Sequence, residues 1–483
     1  MDLTIENFHP LSWADPSGRL FWLDGHLYRG IRDSRAAFYR NLMDQGIIQE
    51  LVDRRLLVET SLSDMTTEEF PLILEHRVIP TVSFASEWSA SQLKAAALLV
   101  LDLEITLRAK NLTLVDVNPW NLLFDSSHPY LVDFCCITAL AERYEWTARD
   151  QFCQFFLNPL LIFEKGLPRV ARRLLFDPSN GISPQELHGI CGIKHKRGLA
   201  RVARDGAKAV AHATVPKRFH AYIKAEIRPL VSRMSRSLRQ HQNAMTEILM
   251  LRERIAALNV LGPKTSWGGF YIENFPPFTS SNRWTEKHHS IHSIIVQTRP
   301  KTLLDIGSNR GWYAQLAAHH GARVIASDSD ETAINELYLD ARQKQLPILA
   351  VHMDFRFPEP AQGPSYKLLP PATQRFKSEM VLALALVHHL VFTFRLSFEQ
   401  IVENLLLFCD RWLVVEFVGP KDNIVIKMDP HNEYRSWYTI DCFVKCLGRG
   451  FRVLDLLPSD NGGLDSGVHD RTIIFCEKTS RSP

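Results

Sequence analysis

The chain has 483 residues, too many for one ordinary hydrophobic core, so two or three domains are expected. Hydrophobic residues make up 46% and charged residues 23%, which fits a folded globular protein and excludes a disordered or fibrous one. The net charge of +3 hides an asymmetry: residues 194–239 hold 13 Lys/Arg against two acids, leaving −8 on the rest of the chain. Residues 1–15 are acidic and lack the basic-then-apolar order of a secretory leader, and no apolar run has a transmembrane segment's length. The eight cysteines are scattered, with no zinc-type pair and no disulfide-like framework, so a reducing, cytoplasmic location is expected. Cys442 and Cys446, one helical turn apart, read as core residues.

In chain order, Leu74-Glu75-His76 reads as a hinge and 90–109 as a long helix. The first chemistry-bearing stretch follows, Leu112-Thr113-Leu114-Val115-Asp116-Val117-Asn118-Pro119-Trp120-Asn121, and then Tyr130-Leu131-Val132-Asp133-Phe134. The spacing of Asp116 and Asn121 and the pair Asp133-Phe134 resemble the catalytic loop and metal-binding strand of protein-kinase-like and aminoglycoside-phosphotransferase-like folds. The resemblance implies an α+β kinase-like N-terminal domain over 1–165, with a nucleotide-like site at Asp116, Asn121 and Asp133. The chain departs from that pattern at Val115, where a basic residue or glycine is usual, and at Cys135, where protein kinases have glycine. No glycine-rich loop precedes Leu27-Tyr28-Arg29, and Arg29 is the cation nearest the place of the third-strand lysine. Phosphoryl transfer needs clamped phosphates and neutralised charge. The departures therefore favour a kinase-like fold without robust activity over a working phosphotransferase. An unrelated α/β segment remains the other reading.

Residues 166–265 read as a basic helical region and linker, helical from Lys217 to Leu258 and closing in Gly262-Pro263-Lys264-Thr265-Ser266. The basic run at 194–239 suits an anionic partner such as nucleic acid, lipid headgroups or a nucleotide-linked sugar; a solvated helix face against the acidic remainder is the alternative. Phe219 and Tyr222 are its interleaved aromatics, a thin platform for stacking on single strands. His288 and His292 share a helical face, but no carboxylate or cysteine nearby completes a ligand set, so a packed helix and no metal site is expected.

From 266 to 483 strands and helices alternate. Thr302–Ile306 runs into the turn Gly307-Ser308-Asn309-Arg310-Gly311 and then a helical pattern; Gly307 and Gly311 let backbone approach a ligand. A second strand ends in Asp328 and a third leads to Asp354. A fourth covers Met380–Leu386 and a fifth Trp412–Phe417, with helical patterns at 331–344 and 397–409. Two closing strands read as a hairpin. This order resembles the class I methyltransferase family, implying a Rossmann-like, seven-stranded α/β domain that binds S-adenosyl-L-methionine. By that resemblance Asp305, Gly307, Asn309 and Gly311 form the first cofactor motif, with Asp305 on the methionine amine; Asp328 binds the ribose and Asp354 the adenine amino group. A dinucleotide-binding dehydrogenase also uses a Gly-turn and a ribose acid. The Asp-x-Gly-x-Asn-x-Gly spacing and the hairpin speak against it. Trp284, Lys287, the run Ala383–Leu390 and Glu416–Asp422 are similar to a narrower bacterial set of nodulation-type methyltransferases.

Methyl transfer from a sulfonium needs alignment and exclusion of water more than covalent help. For a hydroxyl acceptor, His388 or His389 after the fourth strand is the expected base, and Glu416 the second base or positioning acid. No Asn/Asp-Pro-Pro-Tyr run follows the fourth strand, which disfavours base N-methylation. The expected activity is O-methylation of a small-molecule or glycan-type acceptor. The alternatives are a nucleic-acid or protein methyltransferase, and a bifunctional or regulatory protein with a nucleotide-binding half.

Overall fold

The computed structural model describes residues 7–12, 15–141, 145–177, 179–192, 244–261, 276, 281–431, 433, 436–460 and 470–479. The basic run at 194–239 lies outside them, as does most of the expected helix from Lys217; its end is a helix over 244–257. None of the described helices is long and apolar enough to cross a membrane.

The first half opens with an antiparallel sheet of β1 (Gly18–Leu23), β2 (His26–Ile31), β3 (Thr60–Leu62) and β4 (Leu72–His76), in the order β1-β2-β4-β3. Leu74-Glu75-His76 is therefore strand, and the connection out of the sheet begins after it. A helix at Ala90–Arg108 follows, started by a capping box in which Ser89 accepts from the Gln92 amide. It is buried around most of its circumference because elements of both halves pack against it. Beyond it, β5 (Leu112–Leu114) pairs with β8 (Ile137–Ala139), and β6 (Leu122–Asp125) with β7 (His128–Leu131).

The expected boundary at 165 is not where packing changes. Leu187 is fully buried, Asn158 Nδ2 donates to Ile182 O at 2.6 Å, and Arg252 Nε meets Asp102 at 2.6 Å. Residues 166–177, 179–192 and 244–260 thus pack with the first half. Cys442 and Cys446, expected in the core, are exposed and half-buried.

The second half is one seven-stranded sheet: β9 (Thr302–Ile306), β10 (Arg323–Asp328), β11 (Ile348–His352), β12 (Ser378–Ala383), β13 (Cys409–Val418), β14 (Phe451–Pro458) and β15 (Arg471–Lys478). Its order is β11-β10-β9-β12-β13-β15-β14, with β9 to β13 paired in parallel and β15 antiparallel to both its neighbours, β13 and β14. The parallel strands are near-continuous apolar runs because helices cover both faces. Chain direction along the sheet reverses between β9 and β12, which opens a crevice at the carboxyl ends of those strands.

The halves are docked through buried polar contacts as well as a shared apolar cluster. The amides of Ala90 and Ser91 are received by Glu331 Oε1 at 2.9 Å and Asn335 Oδ1 at 2.8 Å. Arg375 forks onto Glu87 at 2.6 and 2.8 Å, and Ser86 Oγ donates to Glu359 at 3.1 Å.

Candidate active site

The register brings the expected acids to one edge. Asp305 lies between Ala326 of β10 and Leu382 of β12, while Asp328 and Glu416 lie towards the carboxyl ends of β10 and β13. Gly307, Asn309 and Gly311 all have positive φ (72°, 51° and 73°), so the turn coils tightly, with the Gly307 and Ser308 amides both donating to Ser327 O. The Asn309 amide donates to Asp328 Oδ2 at 2.8 Å and the Asp330 amide to Oδ1 at 2.9 Å, which fixes that carboxylate in place. Gly307 has room beside it. At Gly311 an added Cβ would lie 2.6 Å from Leu337 Cδ1, so this glycine is demanded by helix packing as much as by the turn.

Asp305 is 2% exposed, and its Oδ2 has no hydrogen-bond partner among the described residues. Burial, then the nearby Asp328, pushes its carboxyl up to about 7, with Lys287 opposing. The Ala314 amide also lowers it by a hydrogen bond, but the unpartnered Oδ2 of a buried acid in a crevice invites a cationic partner. Asp354 follows β11 on the same edge, but both its oxygens are engaged by Arg356, at 2.9 and 2.5 Å. An adenine amino group would have to share that carboxylate.

The strand before the histidines ends at Ala383, three residues earlier than expected, because Ala385 turns with φ 50°. A left-handed alanine is strained and needs outside support. Glu416 provides it: its Oε2 accepts the Ala385 amide at 2.8 Å and Lys287 Nζ at 2.5 Å, while Oε1 accepts Ser459 Oγ at 2.6 Å. Glu416 is fully buried; burial alone would raise its carboxyl, but Lys287 and Arg471 hold it below the usual range. With both oxygens bonded and its proton affinity lowered, Glu416 is better suited to the positioning role than to that of a second base. It positions the loop that carries the histidines.

His388 and His389 start a short π-helical turn, their rings 4.2 Å apart. His388 is 1% exposed, and neither ring nitrogen has a partner among the described residues. Burial, then the charges at His389, Arg471 and Lys287, holds its pKa well below the ordinary value, so the ring stays neutral. His389 is less buried and shifted the same way. His288 Nδ1 accepts from the Thr285 amide at 3.1 Å, closing the helix cap, and its ring packs against Trp312.

Sequence reasoning assigned no role to Lys287 or Ser459. Both act on Glu416 across gaps of 129 and 43 residues, and no local spacing announces such partners. Asp116, Asn121 and Asp133 lie elsewhere, lining a separate cleft of about 1090 Å³ in the first half.

A sheet of this order with a Gly-containing turn after β9 and an acid ending β10 is a class I methyltransferase fold. No family model matches the chain. Along nearly its whole length it is similar to nodulation protein NoeA of Rhizobium meliloti (strain 1021), 27% identical over 462 residues, covering 92% of this chain and 93% of that one. Among solved structures it is similar to magnesium protoporphyrin IX methyltransferase (ChlM) from Synechocystis PCC 6803, at 15% identity and TM-score 0.32, over 44% of this chain and 93% of that one. TehB from Haemophilus influenzae is another, at 15% identity and TM-score 0.29, over 42% and 66% of the two chains.

Proposed function

We propose that the chain is an S-adenosyl-L-methionine-dependent methyltransferase that methylates an oxygen of a small-molecule or glycan-type acceptor. The observation that carries this reading is the pairing of a buried acid with one unpartnered oxygen, Asp305, with an oriented one, Asp328, across a left-handed Gly-turn at the sheet's switch point. Asp305 would hold the methionine ammonium, Asp328 the ribose hydroxyls, the Gly307–Gly311 turn the backbone contacts, and Asp354 the adenine edge. The cofactor, when bound, supplies an electrophilic sulfonium methyl. The chain's own work is to align the acceptor, exclude water and take its proton.

His388 is suited to taking that proton, being neutral, buried and bare at both nitrogens. A lowered pKa keeps the ring able to accept a proton at every ordinary pH, at some loss of basicity. The likeness to a nodulation protein along 92% of the chain supports an acceptor in nodulation-related metabolism. All eight cysteines are unpaired, which suits a reducing, cytoplasmic compartment.

Incubating the protein with methyl-labelled cofactor and host-cell extract should yield a labelled product whose new bond is to oxygen. His388→Gln should leave cofactor affinity intact and lower turnover by about 10²–10⁴-fold. Full turnover in both His388→Gln and His389→Gln would remove the histidines from the mechanism. A product labelled at nitrogen or carbon would remove the oxygen assignment.

A further inference from the structure

Two short runs of the sequence are rich in histidine. His288, His289 and His292 lie on the helix Glu286–Thr298, and His319 and His320 close the helix Trp312–His319. Sequence spacing pairs His288 with His292 and offers no further ligand nearby. The structure redistributes them. His288 turns inward, 3% exposed, and is used up in the helix cap. His292 stays at the surface, and because the two helices pack against each other it meets His320 instead.

The rings of His292 and His320 stand 4.9 Å apart, centre to centre, at 60° to each other. Two imidazoles bound through nitrogen to one tetrahedral ion, with bonds of about 2.0–2.1 Å, have ring centres roughly 5 Å apart. A plain ring contact can have the same spacing, so the surroundings decide between the two. His289 lies one helical turn before His292, and His319 has its ring 5.8 Å from that of His320. Trp284 packs against His289 and His292 at 5.4 and 5.1 Å, an apolar wall behind the cluster. The ring nitrogens of His289, His292, His319 and His320 have no hydrogen-bond or ion-pair partner among the described residues. Four imidazoles thus gather with their nitrogens uncommitted and no carboxylate in ion-pair reach. Such a donor set suits zinc, copper or nickel, whereas magnesium and calcium take oxygen.

We propose that His292 and His320 are ligands of one transition-metal ion of the zinc class, with solvent completing its shell, and that the ion fastens the two helices together. The helices it would join both reach the candidate active site. One carries Lys287, which holds Glu416, and the other starts at Gly311 of the Gly307–Gly311 turn. The ion would restrain both without touching Asp305, Asp328 or His388.

Zinc chloride is the probe, titrated by calorimetry into the metal-free full chain at neutral pH. One ion per chain should bind saturably, and magnesium should not compete. His292→Asn and His320→Asn should each weaken binding by about tenfold or more, as removal of a metal contact does. Both rings reach the surface, so neither substitution should change the unfolding temperature of the metal-free chain. Zinc should raise the unfolding temperature of the parent and of neither variant. Absence of saturable zinc binding overturns the proposal. So does binding that survives both substitutions, which would put the ion at the free thiols or at Asp15, Asp133 and Cys135. Binding with no gain in unfolding temperature overturns the fastening role.

Discussion

Arg375→Ala should cost the chain about 3–5 kcal/mol, the loss expected when one partner of a buried ion pair is removed. Arg375 is 2% exposed in its side chain and Glu87 5%. Its guanidinium gives two bonds to Glu87, one to Val82 O at 2.8 Å and one to Pro370 O at 2.9 Å, and lies 4.1 Å over the Phe84 ring. Glu359 sits alongside at 3.7 Å, its carboxyl raised by burial and then by Glu87. Without the arginine, two buried carboxyls would face each other. They could avoid mutual repulsion only by taking up protons, so the variant should be more sensitive to rising pH than the parent. Arg375→Lys should recover part of the loss, because an ammonium cannot fork across both Glu87 oxygens. Denaturant unfolding measures this directly. A loss below about 1 kcal/mol, the range of exposed ion pairs, would mean the junction between the halves is open to water.

Gly311→Ala should be nearly as damaging, and for reasons confined to one residue. At φ 73° an alanine carries roughly 1–2 kcal/mol of left-handed strain. Its Cβ would also press on Leu337, 1% exposed within a filled core, at about 1–3 kcal/mol for overpacking. The sum, about 2–5 kcal/mol, should appear in unfolding measurements even before any ligand is added. Gly307→Ala provides the contrast. It shares the backbone strain but meets only Leu386, at an ordinary 3.6 Å, so its stability loss should be clearly smaller.

That contrast marks what the sequence could and could not reveal. The edge that gathers the acids was legible because three of the parallel strands, β9, β10 and β11, are apolar runs with an acid at or just past their ends. Asp305, Asp328 and Asp354 come to the same edge without any knowledge of tertiary contacts. The helix over 331–344 was legible to the residue, since its start is capped locally by Asp330. The roles of groups held by distant partners were not. Glu416 has a base's position in sequence, yet Lys287, Ser459 and the Ala385 amide turn it into a support. Asp133 and Asp116 keep their motif's spacing, yet Arg29, Asn118 and Gln151 occupy them. A motif fixes which side chain is present; its charge and availability are set by neighbours tens of residues away. The junction between the halves was illegible for the same reason: Glu87 and Arg375 are separated by 288 positions.

The central claim is that the edge of β9 and β10 holds S-adenosyl-L-methionine, and calorimetric titration with that cofactor tests it most directly. The protein should bind it at one site per chain, and Asp328→Ala should weaken binding at least tenfold. Asp305 is neutral below about 7 and ionised above, and the cofactor's ammonium favours the ionised form. Affinity should therefore climb by up to about tenfold per pH unit below 7 and level off above it, a dependence that Asp305→Asn removes. Folded protein that fails to bind the cofactor at about pH 8, above the Asp305 transition, or binds it equally well as Asp328→Ala, would contradict the assignment.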